Sequence, residues 1–478
     1  MAFQLSPGVL VVEKDLTNII PAVATSTGAF VGAFQWGPVL DPTLVSSENQ
    51  LVARFGKPTD GNASSFFTAA NFLTYTNNLQ LIRVDTAGAK NAVATQTGFV
   101  DFVEINDGGA DYETPVVTFS APNIEGGVQA TGIAVVEDGV ITGITITEAG
   151  SGYSQAPSIS VVDTAEESVG AGFDGTVLIE VGGIKINNED DYMAQYVNGL
   201  GLVGSWAAKY PGALGNSIRI EVADADTFEG WDYAGEFDAA PETSTYVESV
   251  GGSNDELHVI VVDEGGLWTG VRGAILEKFS FLSKASDARK PDGTNNYYKD
   301  AININSKYVW WMDHPVTLVG VDNWGLTAEN SAFKSLAAVD SSTLSGGADD
   351  LSPDIGDYQD AWSIFANAEL YDISLLPVGQ VPPTVAKYVI ENVAETRKDC
   401  VAFVSPVTPE GAMIQGADIV EDTIDFRRNI SFNVNSSYGV LDSGFKYMYD
   451  RYNDVYRWVP LNGDTAGLCA RTDYTNDP

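Results

Sequence analysis

A long stretch of this chain contains no positively charged residue, and that gap constrains the fold more than any other feature. Residues 91–184 contain no Lys or Arg against 14 Asp and Glu, and residues 221–264 contain none against 13. Together, residues 91–264 hold 30 acidic and 3 basic residues, and so contribute −27 of the net charge of −40. Such a change of composition within 478 residues indicates a segment inserted into a differently composed core.

The segments on either side of this insertion show α/β patterning. Before it, residues 28–36 and Leu79–Val84 have the apolar pattern of strands, and Ser47–Phe55 and Ala63–Tyr75 have that of helices. After it, Ile373–Val378 is a predicted buried strand. These elements predict a packed α/β core that begins before residue 90 and resumes near residue 346.

A βαβ unit is predicted in the resumed core. The strand at Ile373–Val378 is followed by an amphipathic helix ending at Arg397-Lys398, and then by a strand at Cys400–Val404. This order predicts a parallel strand pair. A further helix is predicted at Gly416–Arg428.

The insertion contains an internal repeat with a period of 41 residues. In each copy an Ile is followed by a Gly four residues later and by a Tyr seven residues later, and a predicted strand comes next. The copies are Ile105-x-x-x-Gly109-x-x-Tyr112-x-x-Pro115 and Ile146-x-x-x-Gly150-x-x-Tyr153-x-x-Ala156. A period of this size indicates a duplicated unit in which each copy covers the other's apolar face. We therefore predict a small all-β domain at residues 92–182 that faces solvent, with glycan binding as an alternative role.

The fold class predicted from these patterns is a multidomain α+β protein. It has a discontinuous α/β core domain, inserted β-rich domains and an extended N-terminal strand arm. The predicted division is an arm at 1–23 that joins the core, a middle α+β domain from 24–91 and 183–345, the all-β insert at 92–182, and the α/β core domain at 346–478.

The N-terminal arm is predicted from a short extended run outside any domain core. Pro7 and Gly8 open the run, Val9 and Val11 point to one side, and Glu13 lies at its end. An exposed strand must pair its edge or risk aggregation. We therefore expect this assembly arm to join another subunit by adding a strand to its sheet.

Composition excludes several classes of protein. The two cysteines, Cys400 and Cys469, form no disulfide framework and no CxxC metal pair. No signal peptide and no apolar stretch of transmembrane length is visible, so we expect synthesis in a reducing cytoplasm and no membrane insertion. Nucleic acid is not an expected partner, because binding to phosphates needs Lys and Arg.

Histidine and glycine patterns give weak signals for catalysis or cofactor binding. His258 lies in an alternating run, which favours a buried strand residue, and His314 before Pro315 is typical of a turn. Gly199-x-Gly201-x-x-Gly204 followed by Asp224 matches a dinucleotide fingerprint. However, no clear strand precedes the glycines, and Pro211-Gly212 interrupts any following helix.

Acidic patterns give equally weak signals. Asp224-x-Asp226 lacks the later ligands of a calcium loop. The group Asp349, Asp350, Asp354 and Asp357 fits helix capping better than a cation site. We therefore expect no catalytic residue, no cofactor and no metal. A glycan-cleaving protein remains the alternative, although no marker selects the carboxylate pair that such an enzyme needs.

Several segments, in one order along nearly the whole chain, resemble the contractile tail sheath proteins of tailed, myovirus-type bacteriophages. They are the PGV-x-V-x-E arm at 7–13, Pro21–Gly32, Trp36–Pro38, Lys209–Arg219, Ser345–Asp349 and Ala466–Asp473. The resemblance implies a non-enzymatic virion subunit made in the host cytoplasm. It also implies that copies stack as hexameric rings around an inner tail tube and contract to drive that tube through the host envelope.

The resemblance also implies further partners and contacts. The partners are other copies of the chain, the inner tail tube protein, and the baseplate and tail terminator proteins; the sheath of a phage-derived injection machine is a related possibility. Separately from the resemblance, the basic residues of the predicted α/β core are expected to make subunit contacts; the candidates are Arg427, Arg428 and Arg451, facing acidic patches of neighbours. The family continues beyond the ARTD segment into a domain that accepts a neighbour's arm, so we expect the chain ending at Pro478 to be monomeric or weakly associated.

Overall fold

The computed structural model describes residues 26–95, 97–124, 126–165, 170–315, 318–416, 418–428 and 432–476. Within these ranges the chain forms twenty strands and ten helices. They belong to a mixed α/β molecule with several separate sheets.

The first segment contains three strands and two helices. These are β1 (Gly28–Gly32), β2 (Thr43–Val45), α1 (Glu48–Phe55), α2 (Ala63–Leu73) and β3 (Leu79–Arg83). Helix α1 starts after Ser47, whose side chain accepts a hydrogen bond from the Gln50 N–H at 3.3 Å. Both helices and both strands predicted for this segment are present, but β1 ends four residues earlier than expected and α2 two residues earlier.

Between residues 97 and 182, the regular elements of the described part of the insertion are all β-strands. Its strands are β4 (Thr97–Ala110), β5 (Pro115–Phe119), β6 (Thr131–Glu137), β7 (Val140–Glu148), β8 (Ile159–Asp163) and β9 (Ala171–Gly182). The pairs are β4 with β9, β5 with β8 and β6 with β7, all antiparallel. The first strand of each half therefore pairs with the last strand of the other half, and the two middle strands pair with each other, as a pseudo-two-fold axis requires.

The two copies of the sequence repeat occupy equivalent places in this arrangement. Gly109 and Gly150 both take left-handed conformations, with φ of 66° and 70°. Tyr112 and Tyr153, three residues later, are both buried. Their backbone N–H groups donate to the carbonyls of Gly139 and Gly98, at 2.9 and 3.2 Å. The repeat thus encodes a turn and a buried anchor that are used twice.

The middle region combines an antiparallel sheet with short helices. Its elements are α3 (Glu189–Gln195), β10 (Trp206–Ala208), β11 (Ile218–Asp224), α4 (Thr245–Ser249), β12 (Glu256–Asp263), β13 (Ala274–Ser283), α5 (Tyr298–Asn305), β14 (Val309–Trp311) and β15 (Asp340–Thr343). The sheet has the order β13-β12-β11-β15, and β10 pairs separately with β14.

The last segment returns to α/β structure. Its elements are α6 (Ile355–Ile364), β16 (Leu375–Pro377), α7 (Pro383–Tyr388), a π-helical turn at Val389–Ala394, α8 (Glu395–Arg397), β17 (Val401–Val404), α9 (Ile419–Arg428), β18 (Gly439–Leu441), β19 (Phe445–Asp450), β20 (Val455–Pro460) and α10 (Asn462–Asn476). Strands β16 and β17 are parallel, which confirms the predicted βαβ unit.

One six-stranded sheet joins the first and last segments in the order β18-β17-β16-β1-β3-β2. All neighbours are parallel except β2 and β3. The predicted division grouped residues 24–91 with 183–345, whereas the strands of 24–91 pair with those of 346–478. The physical reason is that β1 is buried on both faces and needs a hydrogen-bonding partner at each edge, which β3 and β16 supply.

Candidate functional site

The predicted assembly arm, formed by Pro7, Gly8, Val9, Val11 and Glu13, lies outside the described residues. Its role as a strand added to a neighbouring subunit therefore stays a prediction.

Arg427 and Arg428 lie at the end of α9, which is anchored by one buried aromatic side chain. Phe426 is buried and its ring stacks on Phe432, with centroids 4.6 Å apart. Both arginines are exposed, and neither forms an ion pair with any residue that the structure describes. A cation at the C-terminus of a helix is also favoured by the helix dipole. The role of Arg427 and Arg428 as subunit contacts stays a prediction.

Arg451 is engaged within the chain. It lies in the turn between β19 and β20, where its Nη2 is 3.1 Å from Glu48 Oε1 and 3.2 Å from the Tyr452 hydroxyl. The Tyr452 hydroxyl donates to the same carboxylate at 2.9 Å. Arg451 therefore ties the turn to the first helix, and its role as a subunit contact stays a prediction.

His258 is a core residue, as the strand pattern predicted. Its Nδ1 accepts from the Phe281 N–H at 3.0 Å, and its Nε2 is 2.9 Å from the Ala239 carbonyl. The ring stacks on Phe237, with centroids 4.2 Å apart. Burial lowers the pKa of His258, so the neutral ring serves as a hydrogen-bonding strut.

His314 belongs to a buried hydrogen-bonded chain. The Tyr298 hydroxyl is 2.6 Å from His314 Nδ1 and accepts from the Trp311 indole N–H at 2.8 Å. Burial lowers the pKa of His314 and raises that of Tyr298. The three side chains connect α5 to β14 and to the residues that follow it. His314 therefore has a structural role in this connection.

Asp224, the acidic residue of both the dinucleotide and the calcium patterns, is used inside the protein. It forms an ion pair with Lys284 at 2.9 Å, and both side chains are buried. Asp224 Oδ2 also accepts from the Leu336 N–H at 2.8 Å. The glycine triplet lies in the loop between α3 and β10, where Gly199 and Gly204 have positive φ. Neither pattern forms a binding turn.

The acidic group at 349–357 makes local hydrogen bonds. Asp354 and Asp357 form a capping box at the start of α6, which confirms the capping interpretation. Asp349 accepts from the Ala213 N–H at 2.8 Å. Across the described ranges, no group of three or more His, Cys, Asp or Glu side chains is arranged to hold a metal ion.

Lys209 is an unusual buried cation that sequence reasoning missed. Its Nζ lies 3.3 Å from the centroid of the Trp310 ring and donates to the Asn303 carbonyl at 2.8 Å. The ring of Tyr192 stacks on the same Trp310 ring, with centroids 4.1 Å apart. Burial lowers the pKa of Lys209 to about 7. In the sequence, Lys209 is only the first residue of the segment Lys209–Arg219 that carries the resemblance, and nothing local indicates its burial.

In the part of the chain that the structure describes, no helix is both long and apolar enough to cross a bilayer.

Comparison with known proteins matches nearly the whole length of the chain to tail sheath proteins. The family model "Tail sheath protein Gp18 domain III N-terminal region" matches residues 25–84. The tail sheath protein of Enterobacteria phage T4 is 31% identical over 514 residues, covering 98% of this chain and 73% of that protein. The tail sheath protein of Vibrio phage KVP40 is 28% identical over 531 residues, covering 99% and 74%.

Solved structures give a more distant match. The sheath tail protein Lin1278 from Listeria innocua aligns with a TM-score of 0.38 and 11% identity, over 94% of this chain and 56% of that one. A sheath tail protein from Desulfitobacterium hafniense aligns with a TM-score of 0.36 and 9% identity, over 97% and 62%. The chain thus spans less than two thirds of each solved protein.

The curated relatives define the class as structural proteins of the phage virion. Within that class, the chain belongs to the tail sheath protein family.

Proposed function

We propose that copies of this chain assemble into a sheath around an inner tail tube and contract to drive the tube through the host envelope. The observation that carries the proposal is the 31% identity to a tail sheath protein over 98% of the chain. The match therefore includes the six-stranded sheet and the insert alike. The chain serves as a building block, with no catalytic role.

The energy for contraction resides in interfaces between subunits. Arg427 and Arg428 supply one such contact, facing acidic surfaces of a neighbour. A single exposed ion pair contributes only about 0–1 kcal/mol, but a lattice repeats each pair many times. The arm at residues 1–23 acts as the tether that keeps neighbours joined while rigid bodies move.

The proposal includes an arrangement of the domains. Residues before 91 and after 346 form one discontinuous α/β core, which is supported by the shared sheet of β1, β3, β16 and β17. The all-β insert faces outward and residues 183–345 lie between the two. Baseplate and tail terminator proteins contact the ends of the assembled sheath.

Glycan binding by the insert has less support. The repeated tyrosines, Tyr112 and Tyr153, are both buried, and Tyr153 belongs to the insert's own core together with Phe119. They serve the fold and present no aromatic platform for a sugar ring.

Electron microscopy of the chain mixed with preassembled inner tail tubes tests the proposal. We expect regular decoration of the tubes by the wild type and its loss in Arg427→Glu/Arg428→Glu. Arg289→Glu/Lys290→Glu is the matched control, because it reverses two adjacent exposed charges elsewhere. Bare tubes beside folded wild-type protein contradict the sheath role. Normal decoration by the Arg427/Arg428 variant contradicts only the proposed contact of these two arginines.

A further inference from the structure

A cavity of about 610 Å³ opens at one end of the antiparallel sheet in the middle region. Its wall combines the first residue of β12, the last residues of β13, helix α4 and part of the loop at 289–296. This volume falls within the range of about 300–1,000 Å³ that is typical of small-molecule sites. The cavity is therefore large enough to hold a ligand of that size.

Phe281 lines the cavity and has a strained backbone. Its φ of 52° lies in the left-handed region, which a bulky residue rarely adopts. The residue belongs to a β-bulge of β13, where His258 alone faces both Ser280 and Phe281. The Phe281 N–H donates to His258 Nδ1 at 3.0 Å, and its carbonyl accepts from Asn296 Nδ2 at 2.9 Å. Two buried side chains thus hold the strained residue at the cavity, and strain of this kind is concentrated at functional sites.

Polar groups in the same wall have unused hydrogen-bonding capacity. Asn296 is 5% exposed, and because its Nδ2 is engaged by Phe281, its Oδ1 is left without a donor among the described residues. One Glu256 oxygen accepts from the Glu242 N–H at 3.0 Å, and the other accepts from no residue that the structure describes. The Ser280 side chain is exposed at the same cavity. A buried acceptor that lacks a donor is costly, so this wall indicates a missing partner that carries hydrogen-bond donors.

The charges around the cavity restrict the kind of partner. Arg289 and Lys290 are exposed in its wall and supply donors. Carboxylates on the same elements outnumber these two cations; they are Glu242, Glu248, Glu256, Asp287 and Asp292. A ligand rich in phosphate or sulfate is therefore disfavoured. A metal ion is disfavoured too, because no group of three or more His, Cys, Asp or Glu side chains comes together in the described ranges.

We infer that this cavity binds a saccharide, with one pyranose ring packed against Phe281. The C–H face of a pyranose is apolar and suits an aromatic ring, and its hydroxyl groups both donate and accept hydrogen bonds. In the cavity these hydroxyls donate to Glu256 and to Asn296 Oδ1, and they accept from Arg289. The site lies outside the 92–182 insert and is separate from the proposed sheath role.

The inferred role is binding without cleavage. Among the described residues that line the cavity, Glu256 is the only carboxylate, whereas hydrolysis of a glycosidic bond needs a pair.

A glycan array tests the inference on the 478-residue chain. The array carries neutral, N-acetylated and acidic oligosaccharides built from pyranose units, together with sulfated polymers. We expect the chain to retain members of at least one pyranose class. Saturation-transfer NMR with the member retained most strongly should then show transfer to its ring protons.

Variants of the wall locate the bound saccharide. Arg289→Ala and Glu256→Gln should each weaken binding by about tenfold, because each removes a hydrogen bond to a charged group. Ser280→Trp, which fills the cavity from an exposed position, should abolish binding. Arg272→Ala is the matched control for Arg289→Ala, because Arg272 is an exposed arginine of the β12–β13 turn outside the wall. Unchanged tryptophan-detected unfolding shows that each variant is folded.

Other outcomes overturn the inference. Folded wild-type protein that retains no pyranose oligosaccharide means that the cavity is not a saccharide site. Retention of sulfated polymers alone means ionic contact with Arg289 and Lys290. Wild-type affinity in Glu256→Gln and Arg289→Ala, or binding that survives Ser280→Trp, places the saccharide elsewhere. Decoration of tail tubes does not involve this cavity, so each of these failures leaves the proposed sheath function intact.

Discussion

In the six-stranded sheet every residue of β1 and β16 is buried, whereas strands of the insert such as β6 and β8 alternate between exposed and half-buried residues. The difference extends to the cores. Counting described residues alone, the largest buried cluster beside the sheet contains 26 side chains, and that of the insert contains six. Burial of apolar surface is the main stabilising term for the sheet region. With so small a core, the insert depends more on turns and on individual hydrogen bonds.

The comparison teaches that the two regions have different weak points. A change of side-chain volume should matter most in the sheet core, and the loss of one polar group should matter most in the insert. All nine tryptophans lie outside residues 92–182, so tryptophan fluorescence reports on the rest of the molecule and amide exchange can report on the insert.

The largest effect is expected from Trp362→Ala. Trp362 is fully buried in α6, in the cluster that covers one face of the sheet. Removing a buried aromatic side chain lowers the free energy of unfolding by about 3–5 kcal/mol. Urea unfolding followed by circular dichroism measures the loss, and Trp362→Phe should lose clearly less. A loss below about 1 kcal/mol would show that this core can collapse around the cavity.

A pH-dependent effect is expected from Lys209, because its pKa is about 7 in the folded protein and ordinary in the unfolded chain. Between pH 7 and 10.5 the unfolded state holds a proton that the folded state has released, so stability rises with pH. From pH 7 to 9 this rise amounts to about 2 kcal/mol. Lys209→Met should remove it.

The measurement is urea unfolding of both proteins at pH 7, 8 and 9. The insert contains no lysine, so the rise belongs to the rest of the molecule. Parallel stability curves for the wild type and Lys209→Met would show that Lys209 keeps an ordinary pKa.

A smaller and more local effect is expected from Tyr153→Phe. The Tyr153 hydroxyl accepts from the buried Ala130 N–H at 2.8 Å and donates to the Ser120 carbonyl at 3.2 Å. Leaving that N–H unpaired costs about 1–3 kcal/mol.

Tyr112→Phe is the matched control for Tyr153→Phe. The Tyr112 hydroxyl accepts from the Phe173 N–H at 3.2 Å, on a half-buried residue that water can reach more readily. Amide exchange within the insert should accelerate more for Tyr153→Phe than for Tyr112→Phe, with unchanged tryptophan fluorescence. Equal acceleration would mean that the two repeats contribute equally.

The elements of the sheet region could be predicted from the sequence because their signals are local. Helix α1 has its cap at Ser47, α2 has apolar residues at helical spacing, and β16 and β17 are short apolar runs on either side of a helix. The capping box of Asp354 and Asp357 is local in the same way.

Partners that lie far apart in the sequence could not be predicted. Glu48, the partner of Arg451, lies in the first helix. Lys284, which follows β13, forms an ion pair with Asp224 at the end of β11. No local pattern indicates such pairs. The pairing of β1 with strands of the last segment could not be predicted for the same reason, because an apolar pattern indicates that a strand is buried but does not indicate which strand lies beside it.

The smallest effect on the rest of the molecule is expected from deleting residues 97–182. Thr97 and Gly182 are paired at the open end of β4 and β9, so a short Gly-Ser linker can join residues 96 and 183. The insert's buried cluster contains only its own residues, so the deletion exposes little apolar surface elsewhere. We expect a soluble remainder whose tryptophan-detected melting temperature changes by only a few degrees.

The predicted boundary at residue 92 supplies the control for this deletion. Ala92 and Val93 are buried in clusters of the middle region, and Val93 exchanges backbone hydrogen bonds with Ser345. Deleting 92–182 therefore removes core residues as well as the insert, and costs several kcal/mol more than deleting 97–182. Differential scanning calorimetry of the two deletions measures this difference. Unfolding of both would show that the insert is part of the cooperative core, and that the contrast between the two regions is one of packing alone.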